Sequence, residues 1–379
     1  MPDVGSVRSA VRLSLAGVAL TLAPLALIAA PAVAQNTGPG VLVAGAHFEP
    51  VCTPTDRALE ELSGLAILDG KTYGIGDSGS DDAVVVMEDG CTVVNSITVP
   101  IDPYDVEDMG VGSDGRLWLA DIGDNQRMRS TVALIGLDPA TGRGQLHRLT
   151  YPDGPHDGES LLIQRNGVPL IVTKEVLAAS GIYRPVGPTE LRDLTEPGPT
   201  QLERVGSVRL GPTDTPGGLV PVGSSMLVTG GAVSADGTVA ALRTYTDVYL
   251  YSAPDGDLAR ALTTTTPVRV ALPNQPQGEV VAITRDGDLI AGSEAAGGPL
   301  PQIEILRGAT ELAQQTAWSG GSVSPSASAA AESTATQAAG GTTEGPGAAT
   351  WSTPTLGVGA LIVGLATFML VRRRTRARQ

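Results

Sequence analysis

Residues 107–125, EDMGVGSDGRLWLADIGDN, read as one β-hairpin. Asp114-Gly115 supplies the positive φ of a tight turn, and a short apolar strand flanks it on each side. The pattern recurs. Residues 61–79 (ELSGLAILDGKTYGIGDSG) carry it around Asp69-Gly70, residues 159–175 (ESLLIQRNGVPLIVTKE) around Asn166-Gly167, residues 229–247 (TGGAVSADGTVAALRTYTD) around Asp236-Gly237, and residues 279–294 (EVVAITRDGDLIAGSE) around Asp286-Gly287. The turn glycines lie 45, 52, 70 and 50 residues apart. A repeat near that length, with several strands per unit, marks a β-propeller. The widest gap contains Gly218 to Val228, which reads as a shorter hairpin. Counting it gives an all-β propeller of six blades, with five as the fallback. The strand Val41 to Phe48 is expected to complete the last blade and close the ring.

The copies, set in register on the turn, place acidic side chains together. Glu107, Glu159 and Glu279 stand eight residues before the turn glycine, and Glu61 stands nine before. After the turn come Asp77, Asp121, Lys174 with Glu175, Arg243, and Glu294. Positions equally far from a turn face each other in an antiparallel hairpin. This pairs Glu61 with Asp77, Glu107 with Asp121, Glu159 with Lys174, and Glu279 with Glu294, all at one mouth of the central channel. Carboxylates packed together raise one another's pKa unless a cation is present. A hard cation such as Ca²⁺, with six to eight oxygen ligands, meets that need. Asp121, Asp124 and Asn125 add three oxygen-bearing side chains in a glycine-containing turn, and residues 77–82 form a similar one. The fourth copy has Thr229 in place of the glutamate, with Arg243 and Tyr245 opposite. Those two, with Lys174 and Arg127, are candidate ligand-binding residues for an anionic group. For catalysis the candidates are Glu107, Glu159 and His156, the last as a base. A face of solvated strand-end carboxylates and a simple Arg243 salt bridge are the plainer alternatives.

The two ends of the chain indicate an address. Arg8 and Arg12, an apolar stretch and Ala32-Val33-Ala34 form a signal peptide over residues 1–34. The folded ectodomain spans residues 35–317. Residues 318–350, rich in Ser, Ala and Gly, read as a flexible stalk. Residues 351–371 then form a transmembrane helix. Five arginines in residues 372–379 keep the tail cytoplasmic, so the ectodomain is extracytoplasmic at the cell membrane. No LPxTG motif precedes the helix. The whole chain has 25 basic and 40 acidic residues. Removing the two signal and five tail arginines, and Asp3, leaves 18 against 39, a net charge of −21 outside the membrane. That field disfavours nucleic acid and suits cations. Cys52 and Cys91, the two cysteines, are expected to form a disulfide in an oxidising compartment. Aromatics are 3% and Trp-Asp dipeptides are missing, which disfavours a WD40-type hub.

At YDVEDMGVGSDGRLWLADIGDN, HDGESLLI with IVTKE, ALRTYTDVYLY and PQGEVVAIT, the chain resembles uncharacterised secreted propeller proteins of actinobacteria. More distantly it resembles esterase-like phytase domains and gluconolactonase-type propellers. The resemblance covers Glu60 to Glu294. It implies a divalent metal on the propeller axis and hydrolysis of a phosphoester or lactone. The chain lacks a recognisable set of paired phosphate-binding lysines, having only Lys71 and Lys174. The expected function is a membrane-anchored propeller that binds a divalent cation, Ca²⁺ by hypothesis, and a small or envelope-derived ligand. A metal-dependent hydrolase and a non-catalytic envelope interaction protein are the alternatives.

Overall fold

The computed structural model describes residues 35–38, 40–77, 79–88, 91–220 and 222–319. The expected signal peptide, transmembrane helix and basic tail lie outside the described residues, as does nearly all of the stalk. Among the described residues no helix is long and apolar enough to cross a membrane.

The hairpins form as their turn chemistry requires. Asp69 and Gly70 both have positive φ (51° and 76°), the two-residue turn that matches strand twist. In the second, third and fifth copies the turn is one residue longer, and in the fourth, where Ser234 N–H meets Val239 O, it is two residues longer. There the glycine, again at positive φ, donates its N–H three residues back: Gly115 to Gly112, Gly167 to Gln164, Gly237 to Ser234 and Gly287 to Thr284.

Three short strands open the chain: β1 (Gln35–Gly38), β2 (Val41–Leu42) and β3 (Glu49–Cys52). Four-stranded units follow. The first is β4 (Leu62–Leu68), β5 (Lys71–Gly76), β6 (Ala83–Glu88) and β7 (Thr92–Thr98). The second is β8 (Val106–Val111), β9 (Leu117–Asp121), β10 (Val132–Leu137) and β11 (Gly144–Thr150). The third is β12 (Gly158–Ile163), β13 (Pro169–Thr173), β14 (Ser180–Pro185) and β15 (Thr200–Leu210). The fourth is β16 (Val228–Val233), β17 (Val239–Thr244), β18 (Asp247–Ser252) and, after helix α1 (Leu258–Thr264), β19 (Val268–Ala271). The fifth has β20 (Gln277–Ile283), β21 (Leu289–Glu294) and β22 (Ile303–Leu306), before helix α2 (Ala309–Ser319). Its fourth strand is β3, which pairs antiparallel with β22. Short β11–β15 pairing joins the second and third units.

The inner strands close a ring: β4 packs on β8, β8 on β12, β12 on β16, β16 on β20, and β20 on β4. Five hydrophobic clusters fill the five interfaces between neighbouring units, rather than one central core. This is a β-propeller, and the described residues make five units. The expected sixth hairpin is not one. Gly217 and Gly218 both have positive φ, and Gly223–Met226 is a 3-10 turn, so residues 211–220 and 222–227 hold no strand and form no hairpin. The closing strand also differs from expectation. Val41–Leu42 pairs with β19 of blade four, and it is Glu49–Cys52 that completes blade five. The opening segment is thus a belt: β1 lies on β15, β2 on β19 and β3 on β22. Cys52 at the end of β3 is disulfide-bonded to Cys91 of blade one, which fastens the last blade to the first.

Candidate functional site

Every inner strand carries a β-bulge at the same place. The register shifts between Leu62 and Gly64, Val106 and Asp108, Gly158 and Ser160, Val228 and Gly230, and Gly278 and Val280. The unpaired residues are Ser63, Glu107, Glu159, Thr229 and Glu279. A bulge re-aims a side chain away from the regular alternation. Ser63 and Thr229 show where it sends them, each donating to a backbone oxygen of the neighbouring inner strand, Glu107 O at 3.0 Å and Gly278 O at 2.9 Å. The ring of equivalent positions is therefore Ser-Glu-Glu-Thr-Glu. In the first copy the shorter turn puts the bulge at Ser63, seven residues before Gly70 instead of eight, so Glu61 lies two residues before it.

The bulges also change the expected facing pairs. Asp121 stands opposite Val106, not Glu107, and Glu294 stands opposite Gln277, not Glu279. Glu61 and Asp77 do face each other, Asp77 N–H donating to Glu61 O at 2.9 Å. Lys174 reaches Glu159 as expected and forms an ion pair with its Oε1.

Two carboxylate groups result. Glu107, Asp157 and Glu159, all buried, bring ligand oxygens within 4.8 Å of one another, and so do Glu61, Asp77 and Glu294. Asp105 and Asp157 were not singled out in the sequence, yet each lies two residues before a bulge glutamate, as Gln277 does before Glu279. The recurring Asp-x-Glu spacing was the signal. Asp157 is oriented by Asp124 N–H, which donates to its Oδ1 at 2.8 Å. Gly123 lets the group close: a Cβ there would stand 2.2 Å from Glu107 Oε1 and 2.6 Å from Asp105 Oδ2.

The electrostatics follow from burial. Desolvation raises Glu107 well above the ordinary glutamate range, and the charges of Glu159, Asp105 and Asp77 add to it. Desolvation likewise pushes Glu159 up to about 8 against the opposing pull of Lys174. Asp157 and Glu279 are raised by burial first as well. Burial alone would lower Lys174, but the surrounding carboxylates, Glu159 foremost, hold it well above the lysine value. Tyr245, also buried, is raised by desolvation and feels the charges of Lys174, Glu279 and Glu159. One lysine thus faces a buried set of carboxylates. Glu159 Oε2 is buried and finds no hydrogen-bond partner among the described residues.

Other sequence candidates are occupied elsewhere. Arg243 is fully buried and binds no approaching anion. Its Nη1 donates to Val280 O and Gly292 O, both at 2.7 Å, and its Nη2 to Gln275 Oε1 at 2.7 Å. It clamps blade four to blade five, and burial lowers its pKa to about 9. Asp124 caps its own loop, accepting Met128 N–H at 2.9 Å and Arg129 N–H at 2.7 Å. Asp121 pairs with Arg129 at 2.8 Å, and Asn125 is exposed. Those three do not join either carboxylate group. Arg127 is exposed and pairs with Glu175. His156 lies between Glu175 (3.3 Å), Asp153 (3.0 Å) and the Tyr183 hydroxyl (3.0 Å), a bracket at the start of blade three rather than a base on the ring. Its pKa is raised first by the Glu175 hydrogen bond. Asp108, also missed, is buried and accepts Met109 N–H and Leu161 N–H, both at 2.8 Å, tying blade two to blade three.

No family model matches the chain, and no curated relative does. Solved structures that it resembles include glutaminyl cyclase of Myxococcus xanthus, at 11% identity over 70% of this chain and 97% of the other, with TM-score 0.39. A gluconolactonase of Xanthomonas campestris matches at 16% identity over 70% and 82%, with TM-score 0.37. Virginiamycin B lyase of Staphylococcus aureus matches at 12% over 65% and 67%, with TM-score 0.33. Likenesses at these scores carry no argument, and the propeller assignment rests on the strand order, the closed inner ring and the five interface cores.

Proposed function

We propose that this protein is a cation-dependent propeller, in which Glu107, Asp157 and Glu159 hold a divalent cation at the start of the inner strands and present it to a small ligand. The observation that carries this is the buried trio, with Glu159 Oε2 left without a hydrogen-bond partner. The donor set consists of oxygen atoms, which favours a hard cation, Ca²⁺ above all, over zinc or copper. A bound cation would supply positive charge for an anionic or carbonyl-bearing ligand. Lys174 and Tyr245 are the chain's own groups beside it, the lysine oriented by Glu159.

Extracytoplasmic placement at the cell membrane belongs to the same reading. It is supported by the signal-like and membrane-spanning patterns of the two ends, and the Cys52–Cys91 disulfide suits an oxidising compartment. A second reading, hydrolysis of a phosphoester or lactone with metal assistance, is favoured by Glu159. A carboxyl with a pKa of about 8 can take up or release a proton at neutral pH.

Calorimetric titration of the purified chain with Ca²⁺ tests the first reading. Saturable binding is expected, and Glu159→Gln should abolish it at this trio. The absence of both heat and any shift in melting temperature would overturn it. With Ca²⁺ bound, a panel of phosphoesters and lactones separates binder from hydrolase. Turnover that disappears in Glu107→Gln and Glu159→Gln marks the enzyme.

A further inference from the structure

The second carboxylate group occupies a different sector of the ring. Glu61 directly precedes β4, Asp77 directly follows β5, and Glu294 ends β21, so the group straddles the interface where blade five meets blade one. The first trio belongs to blades two and three. Two oxygens bound at roughly 2.4 Å to one Ca²⁺ lie at most about 4.8 Å apart. Each trio meets that limit within itself, and the two form separate groups.

A neighbouring side chain points independently to a ligand. Gln277 is buried, at 5% exposure, and its amide is fixed by two hydrogen bonds. Its Nε2 donates to Glu294 Oε1 at 2.8 Å and to Glu279 Oε1 at 2.9 Å. With the nitrogen held on Glu294, a member of the trio, the oxygen of the same amide lies beside that trio. That Oε1 has no hydrogen-bond partner among the described residues. Leaving a buried acceptor unsatisfied costs on the order of 1–3 kcal/mol. The carboxylates around it are acceptors too and cannot satisfy it when ionised. A cation can, and an amide oxygen is an ordinary ligand for a hard one.

We propose that the channel binds two divalent cations, the second held by Glu61, Asp77 and Glu294 with the Gln277 side-chain oxygen as a neutral ligand. This extends the cation-binding reading of the channel but rests on different residues. The arrangement explains why the closing interface carries carboxylates at all: a bound cation would bridge the last blade to the first on the channel side.

Equilibrium dialysis of the full-length chain against Ca²⁺ counts the sites. Two ions per chain are expected. Asp77→Asn and Glu294→Gln should each remove one ion and leave the other, whereas Glu159→Gln should remove the other and leave this one. Gln277→Met should weaken the second site about tenfold and spare the first. Retention of the first site in Asp77→Asn serves as the check that the variant is folded. One ion in the native chain, or two ions that survive Asp77→Asn and Glu294→Gln, overturns the proposal. If one ion binds and is lost in Glu159→Gln alone, the single-site reading stands and this one falls. If no ion binds, both fall.

Discussion

The same five inner strands build two opposite ends of one channel. Near their starts three of the five carry a buried bulge glutamate, Glu107, Glu159 and Glu279, and Glu294, which ends the neighbouring strand β21, is buried as well. At their turns the channel widens into a cavity of about 750 Å³ lined by Leu65, Met109, Leu161 and Ile283, with Arg165 and Arg285 among its lining residues. Asp108, on the inner strand β8, accepts backbone N–H groups. The apolar end conforms to ordinary strand alternation and is open. The acidic end departs from alternation through five bulges and closes over its charges. Burying an ionised carboxylate costs several kcal/mol unless it is compensated. Nothing in the propeller architecture demands that cost, since leucine and valine serve at the other end. That difference is what motivates the proposal of an occupant at the acidic end.

The largest expected effect comes from the clamp beside the acidic end. A Cβ on Gly278 would lie 1.7 Å from Arg243 Nη2, a group already fixed by its hydrogen bonds. Gly278→Ala should therefore destabilise the fold by about 3 kcal/mol, because it displaces a buried charge from its partners. Chemical denaturation measures this, and a neutral result would remove Arg243 from the account. Next comes the cation itself. Ca²⁺ at a hundredfold excess over its dissociation constant should add about 2.7 kcal/mol per site, read as a rise in melting temperature. The double variant Glu107→Gln, Glu159→Gln should remove the contribution of the first site.

A pH effect follows from the same burial. Glu159 has a folded pKa of about 8 against an ordinary value of 4.5. Between those values the folded state holds more protons than the unfolded one. Stability of the cation-free protein must then fall as pH rises from about 4.5 towards 8. Thermal melts across that range should show the fall, and Ca²⁺ should flatten it. A stability that instead rises with pH would show that Glu159 is ionised without an added cation. Smaller still, Lys174→Met removes the built-in counter-ion and should tighten Ca²⁺ binding about tenfold, roughly 1.4 kcal/mol. At the apolar end, Arg285→Ala should change stability by less than about 0.5 kcal/mol and leave Ca²⁺ binding untouched. A measurable loss of Ca²⁺ affinity there would mean that the two ends are coupled.

Much of this was legible because turn chemistry is local. Asp-Gly and Asn-Gly turns dictate hairpins wherever they occur, so their spacing announced the blades. Gly218 to Val228 misled because Gly218 takes positive φ and Gly223–Met226 turn as a 3-10 helix instead of pairing as strands. Counting from the turn found Glu107, Glu159 and Glu279, which share one turn length. It misplaced Glu61 because the first turn is shorter, and that is not visible until the strands are paired. The loop at Asp121 to Asn125 was read as ligand-rich because metal loops and self-capping loops draw on the same residues. Only the bonds from Met128 and Arg129 N–H to Asp124 separate the two. Arg243 could not be told from an anion-binding arginine, since what it clamps lies about forty residues away in sequence.

The N-terminal belt has a consequence for how the molecule is made. Synthesis delivers β3 early, and its partner β22 about 250 residues later. Until then the earliest strands have free edges, and free edges recruit wrong partners. The ring can close only when the chain is almost complete, and a fold so dominated by distant pairings closes slowly. A nascent chain halted before Ile303 would lack more than its final blade. Strand β3, made about 250 residues earlier, would be left without its partner, so the two ends of the domain succeed or fail together.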